Sequence, residues 1–112
     1  MVFKYKGAQE RNVGNNMKIK DLYVGQNMPI DFVISKLNGF HGTFINTKSV
    51  KYYFIIDGKA QVIINDEIYE VEKGDFVLIP INAKHSIEGN VEFAIMCMPS
   101  FNINDEQIVE GN

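Results

Sequence analysis

Two histidines and a single cysteine set narrow limits on the chemistry available to this chain of 112 residues. His41 and His85 are its only imidazoles, and imidazole is the side chain whose ordinary pKa lies closest to neutrality. Cys97 stands alone, which excludes an intrachain disulfide and any zinc cluster built on thiolates. It reads as a small buried hydrophobe and favours a reducing, cytoplasmic setting. Asp66, Glu67, Glu70 and Glu72 fall at turns or alternate along a short strand, the pattern of a solvated face. Eleven basic residues, scattered among 14 acidic ones, give a formal charge of −3 and no cationic footprint for nucleic acid.

The elements that must position these groups are strands. Runs rich in Val, Ile, Tyr and Phe alternate with turn signals, and no segment sustains a helical period. Strands are expected over Met17 to Val24, Ile30 to Leu37 (ended by Asn38-Gly39) and Phe40 to Thr47. Tyr52 to Ile56 meets Asp57-Gly58, a tight-hairpin signal because both residues tolerate positive φ, and Ala60 to Ile64 returns. After Asn65-Asp66 come Ile68 to Val71, then Phe76 to Ile79, stopped by Pro80. His85 to Ile87 is short. Glu88-Gly89-Asn90 turns into the apolar strand Val91 to Met98, stopped by Pro99. Asn104 to Val109 is the best helix candidate, with Asn104 as cap. About eight strands at this spacing imply an all-β sandwich or barrel.

A hydrophobic content of 46% supports a packed core, and the length suits one domain. Residues 17–101 are expected to form its body, 1–16 an arm and 102–112 a tail. Met1 to Gly7 turns polar before a signal-peptide core could form, and no apolar run approaches a membrane span. The expectation is a cytoplasmic protein with neither membrane nor nucleic-acid partner.

Gly39, Gly58, Gly74, Pro80 and His85 fall at spacings that resemble the two motifs of the cupin family. The first motif has a glycine, five residues, His-x-His, three or four residues, a glutamate, six residues and a glycine. Counted from Gly39, its histidine positions fall on Ile45 and Thr47, its glutamate on Lys51 and its last glycine on Gly58. In the second, Gly74, Pro80 and His85 match, while Asn82 replaces a glycine and Gly89 an asparagine. The resemblance, from about Gly39 to Phe101, implies a single cupin-type barrel, also described as a double-stranded β-helix or jelly roll.

In metal-dependent cupins three histidines and a glutamate hold a divalent transition metal. Only His85 remains of those four, so no cofactor is expected. Alternation puts His41, Thr43, Ile45 and Thr47 on one face if no bulge intervenes, and Lys51, Tyr53 and Ile55 on another. The resemblance implies that both sets face the lumen. Its polar groups would be His85 and Tyr53, the acid–base candidates, with Lys51, Thr47 and His41 as ligand-binding residues. An enclosed Lys51 must pair with an anion or lose its proton.

Three functions are compatible with this pattern. The preferred one is a metal-independent cupin that binds a small polar or anionic metabolite, possibly carbohydrate-type, as isomerases and epimerases of the family do. The second is a non-catalytic binding or sensor module. The third is a metal-dependent lyase or oxygenase using His41, His85 and a carboxylate. Whether the barrel is an enzyme stays open. Small cupins commonly dimerise through their sheets, so a homodimer is expected, with Val91 to Met98 as a candidate contributor.

Overall fold

The structure is a computed structural model that describes residues 1–111. It is all-β, as the strand spacing implied. The strands are β1 (Glu10–Val13), β2 (Met17–Tyr23), β3 (Asp31–Asn46), β4 (Val50–Ile64), β5 (Glu67–Glu72), β6 (Phe76–Ile79), β7 (His85–Met98) and β8 (Glu106–Gly111). All pairings are antiparallel.

Three long strands, β3, β4 and β7, run through both layers of a barrel. In the first layer β6, the front of β4, the back of β7, the front of β3, β2 and β1 lie side by side. In the second, β5, the back of β4, the front of β7, the back of β3 and β8 do so. The core lies between the layers, around the fully buried Phe93, Leu37, Ile55, Ile79 and Val62. Burying such side chains stabilises the fold by roughly 1.5–3 kcal/mol each.

Three expected breaks prove to be bends inside these strands. Asn38-Gly39 pairs with Gly89 and Asn90 without ending β3, and Glu88-Gly89-Asn90 continues β7. Asp57-Gly58 makes no hairpin but marks a register shift within β4. Gly58 and Gly89 are needed because the backbones close in where the layers meet. A Cβ on Gly58, at φ +86, would collide with the Asn90 carbonyl oxygen, and one on Gly89 would lie 2.8 Å from Ala60 Cα. Positive φ thus serves a bend as readily as a turn. Asn65-Asp66 does form a two-residue hairpin, with φ of 48 and 70.

The chain ends also depart from expectation. Glu10–Val13, inside the expected arm, is strand β1 paired with β2. The helix expected over Asn104 to Val109 is a single 3-10 turn, Ile103–Asp105, capped by Asn102 rather than Asn104. The chain then becomes β8 and pairs with β3, because that edge offers a ladder of unpaired backbone groups. Among the described residues no helix is long and apolar enough to cross a membrane.

Candidate functional site

Lys51 is the second residue of β4, and strand alternation points it inward with Tyr53 and Ile55. It is buried at 7% exposure. An ammonium in such a place needs compensation, because desolvating an isolated charge costs far more than a domain can spare. The compensation comes from two directions. Glu106 Oε2, on the first residue of β8, accepts from Lys51 Nζ at 2.8 Å. His85 Nε2, on the first residue of β7, lies 3.0 Å from the same Nζ. Asn46 Nδ2 donates to the other Glu106 oxygen at 3.1 Å, so both carboxylate oxygens are engaged.

The tautomer of His85 follows from its neighbours. Its Nδ1 lies 2.9 Å from the Ala83 carbonyl, which can only accept, so Nδ1 carries the proton. Nε2 is then a bare lone pair and accepts from Lys51. Burial, followed by the neighbouring Lys51 charge, lowers the His85 pKa to about 4, against weak opposition from the Ala83 bond. The ring is neutral at physiological pH. Lys51 Nζ also lies 5.7 Å from the Phe44 ring centroid and 6.0 Å from that of Phe101, near the reach of cation–π attraction. An ammonium has three N–H donors, and His85 and Glu106 take two. Among the described residues no other group accepts from Lys51 Nζ, so the third N–H is left over.

Lys51, His85 and Glu106 line a cavity of about 410 Å³ inside the barrel. Its other walls are mainly apolar and include Val33, Phe44, Ile95, Phe101 and Ile108. Tyr53 joins them, packed edge-on against Phe93 at 5.1 Å. Burial, with a smaller contribution from the Glu106 carboxylate, raises the Tyr53 pKa and keeps its phenol protonated. Burial, followed by the nearby Asp31, pushes the Cys97 thiol up to about 12, which disqualifies it as a nucleophile. His41, half-buried, also faces the cavity. Its Nδ1 is enclosed and meets no protein partner among the described residues. Burial first and Lys51 second lower its pKa, so this imidazole too is neutral.

The structure therefore brings His85, Lys51, Tyr53 and His41 together and leaves Thr47 out. Thr47 follows the end of β3, and its hydroxyl donates to the Asp105 carbonyl at 3.2 Å. The expected inward face of Ile45 and Thr47 also shifts by one residue. Register slips between Phe40 and Thr43 against β7, and between Thr43 and Phe44 against β8, break the alternation. Gly42 and Phe44 line the cavity instead. The anion expected beside Lys51 exists, and it is the chain's own Glu106.

Two contributors escaped sequence reasoning. Glu106 lay in a polar tail with no pattern to mark it. Asp31, buried at 7% exposure, accepts from Cys97 N at 3.0 Å and Phe101 N at 2.9 Å, which fixes Phe101 over the cavity. Its position before an apolar run resembled an ordinary strand start.

A divalent metal of the kind many cupins hold does not fit this donor set. The lone pair that would ligate it, His85 Nε2, accepts from an ammonium, and the neighbouring carboxylate is paired with the same ammonium. Among the described residues no three His, Cys, Asp or Glu side chains cluster to hold an ion.

A double layer of strands with a polar site in the cavity between its sheets defines a barrel, and sequence comparison agrees. Residues 39–98 match the cupin domain, and the chain belongs to that family. An uncharacterized protein of Methanocaldococcus jannaschii is 36% identical over 66 residues, which cover 55% of this chain and 53% of the relative. The chain thus matches about half the length of that curated relative. Among solved structures, the nucleoside dehydratase Pac13 superposes with a TM-score of 0.85 at 21% identity, covering 97% of this chain and 90% of that one. A Streptomyces Pac13 structure holds uridine. KdgF from a Halomonas species superposes with a TM-score of 0.84 at 13% identity, covering 93% and 97% of the two chains. Likeness at these identities speaks to the fold.

Proposed function

We propose that this cupin binds a small, neutral, hydroxyl-bearing metabolite of carbohydrate type, without a metal, between Lys51 and His41. The observation that carries the reading is the buried ammonium whose charge Glu106 already balances and whose third donor is left for the ligand. A strongly anionic ligand would have to compete with Glu106 at 2.8 Å, whereas a hydroxyl or carbonyl oxygen only has to accept. The apolar and aromatic walls suit a planar or hydrocarbon body, and about 410 Å³ lies within the usual size range of small-molecule sites. A nucleoside has this combination, and Pac13, of the same fold, is described with uridine.

The same arrangement supports proton transfer. Lys51 would polarise a ligand oxygen, and neutral His41, with a free Nδ1, would take or return a proton from a neighbouring atom. His85, with both nitrogens engaged, would orient Lys51 rather than exchange protons itself. Tyr53, held protonated, would be a hydrogen-bond donor. That is the chemistry of an isomerase, epimerase or dehydratase step.

Thermal-shift measurements and calorimetry with uridine, other nucleosides, neutral sugars and small carboxylates test the reading. Neutral hydroxylated compounds are expected to stabilise the protein, and both Lys51→Met and His41→Asn to abolish the effect. Binding restricted to carboxylates, or binding that survives both substitutions, would overturn it.

A further inference from the structure

Among the described residues Lys51 is the only buried lysine, and the others lie exposed or partly exposed on the surface. Two acceptors hold its nitrogen, His85 Nε2 at 3.0 Å and Glu106 Oε2 at 2.8 Å. Buried polar groups are ordinarily paired throughout, so a lysine kept only to brace Glu106 is expected to have its third N–H satisfied as well. Here the third direction meets no protein acceptor, and Lys51 lines the cavity. Two acceptors suit an amine as well as an ammonium. A neutral lysine keeps two N–H bonds for His85 and Glu106 and carries a lone pair in the direction left over.

A base for the third proton stands in the same cavity. His41 is neutral, and its Nδ1 is enclosed without a protein partner among the described residues. Part of what lowers its pKa, after burial, is the Lys51 charge itself. A proton that leaves Lys51 removes that repulsion, so His41 becomes more basic as it is needed. Val24, Ile103 and Ile108 line the cavity and are nevertheless exposed, so the cavity opens to solvent beside them.

We propose that Lys51 is a nucleophile that forms an imine with an open-chain hydroxyaldehyde or hydroxyketone, an inference that rests on the reading of a hydroxylated ligand between Lys51 and His41 and narrows it to carbonyl compounds. His41 takes one proton from the ammonium. The freed lone pair forms a bond to the carbonyl carbon while the π pair of the C=O bond moves to oxygen. That oxygen receives one proton from the nitrogen and one from His41, the C–O bond breaks, and water leaves. The nitrogen remains as an iminium with a single N–H, and His41 is neutral again. No oxidant or reductant is consumed, and the charge of the site is the same before and after. Glu106 balances the iminium as it balanced the ammonium, which offsets the cost of a cation between apolar walls. The iminium draws electrons from the adjacent carbon, and His41 removes a proton there, the step that precedes isomerisation or loss of a hydroxyl.

Reductive trapping tests this. The unaltered protein is incubated with glyceraldehyde and cyanoborohydride, which reduces an iminium and spares the free aldehyde, and adducts are located by peptide mass. Each adduct adds the mass of the aldehyde less one oxygen. Lys51 is expected to be labelled about tenfold faster than any surface lysine, the reverse of the order that exposure alone gives. His41→Asn should slow labelling at Lys51 by about a hundredfold and leave the surface lysines unchanged. Labelling of Lys51 no faster than that of the surface lysines, or equally fast without His41, would overturn the proposal. Uridine, which offers hydroxyls and no aldehyde, separates the imine from the reading beneath it. Stabilisation by uridine that depends on Lys51, in a protein that forms no Lys51 adduct, would overturn the imine alone, and failure of both experiments would overturn both.

Discussion

Acidification from neutrality to about pH 4 is expected to remove about 3 kcal/mol of folding stability through His85 alone. In the unfolded chain this imidazole takes a proton as the pH falls below its ordinary value of 6.5. In the folded chain, buried beside Lys51, it resists until about pH 4. Between those limits the unfolded state holds the extra proton, so stability rises with pH at up to about 1.4 kcal/mol per pH unit. The contribution is whole above the unfolded pKa and lost as the pH falls toward the folded one. Against a typical total of 5–15 kcal/mol this is a large fraction. Urea denaturation from about pH 4 to pH 7.5 on the unaltered protein and on His85→Gln gives the comparison. Glutamine offers an oxygen to Lys51 and does not titrate, and His41 and the carboxylates remain in both proteins. The stability difference should therefore narrow on acidification by about 3 kcal/mol. Parallel curves, or a His85 titration midpoint at or above 6.5 in the folded protein, would refute the reasoning.

Lys51→Met leaves Glu106 buried without its cation and is expected to cost about 3–5 kcal/mol in denaturation, most of it recovered in Lys51→Met/Glu106→Gln. Simple addition of the two single costs would show that the pair is not coupled. Gly58→Ala forces a Cβ toward the Asn90 carbonyl at positive φ and should destabilise by about 1–3 kcal/mol, whereas Gly74→Ala, where nothing lies within 4 Å, should cost only the φ strain. Alkylation of Cys97 at mildly alkaline pH should run at least about a hundredfold slower than that of an unfolded control, since its thiol is pushed up to about 12. A rate near that of the control would mean that the thiol is neither buried nor beside Asp31.

Short-range patterning carried much of the fold into view. Val and Ile runs and the Asn65-Asp66 hairpin located strands within a residue or two, because local chemistry decides them. What alternation could not reveal was the bend. At Gly39, Gly58 and Gly89 the sequence shows the same residues that end strands, and only what approaches them, another backbone at Gly58 and Gly89 and the Asn16 side chain at Gly39, distinguishes a bend from a turn. The same non-local effect moved the inward face from Ile45 to Phe44, since bulges in β3 are set by two different neighbours. The site was legible where β4 alternates, through Lys51 and Tyr53, and where His85 kept its motif position. It was illegible at Glu106, more than fifty residues from Lys51, because nothing local to a polar tail records which buried cation it will meet.

The most direct test of the central claim is the nitrogen spectrum of His85 in folded protein at neutral pH, with long-range proton couplings to identify its protonated ring atom. A lysine ammonium held in the barrel requires a neutral ring with the proton on Nδ1 and a bare Nε2 that accepts from Lys51. A ring protonated on Nε2, or one carrying both protons, would mean that Lys51 does not donate there and that the site is organised differently.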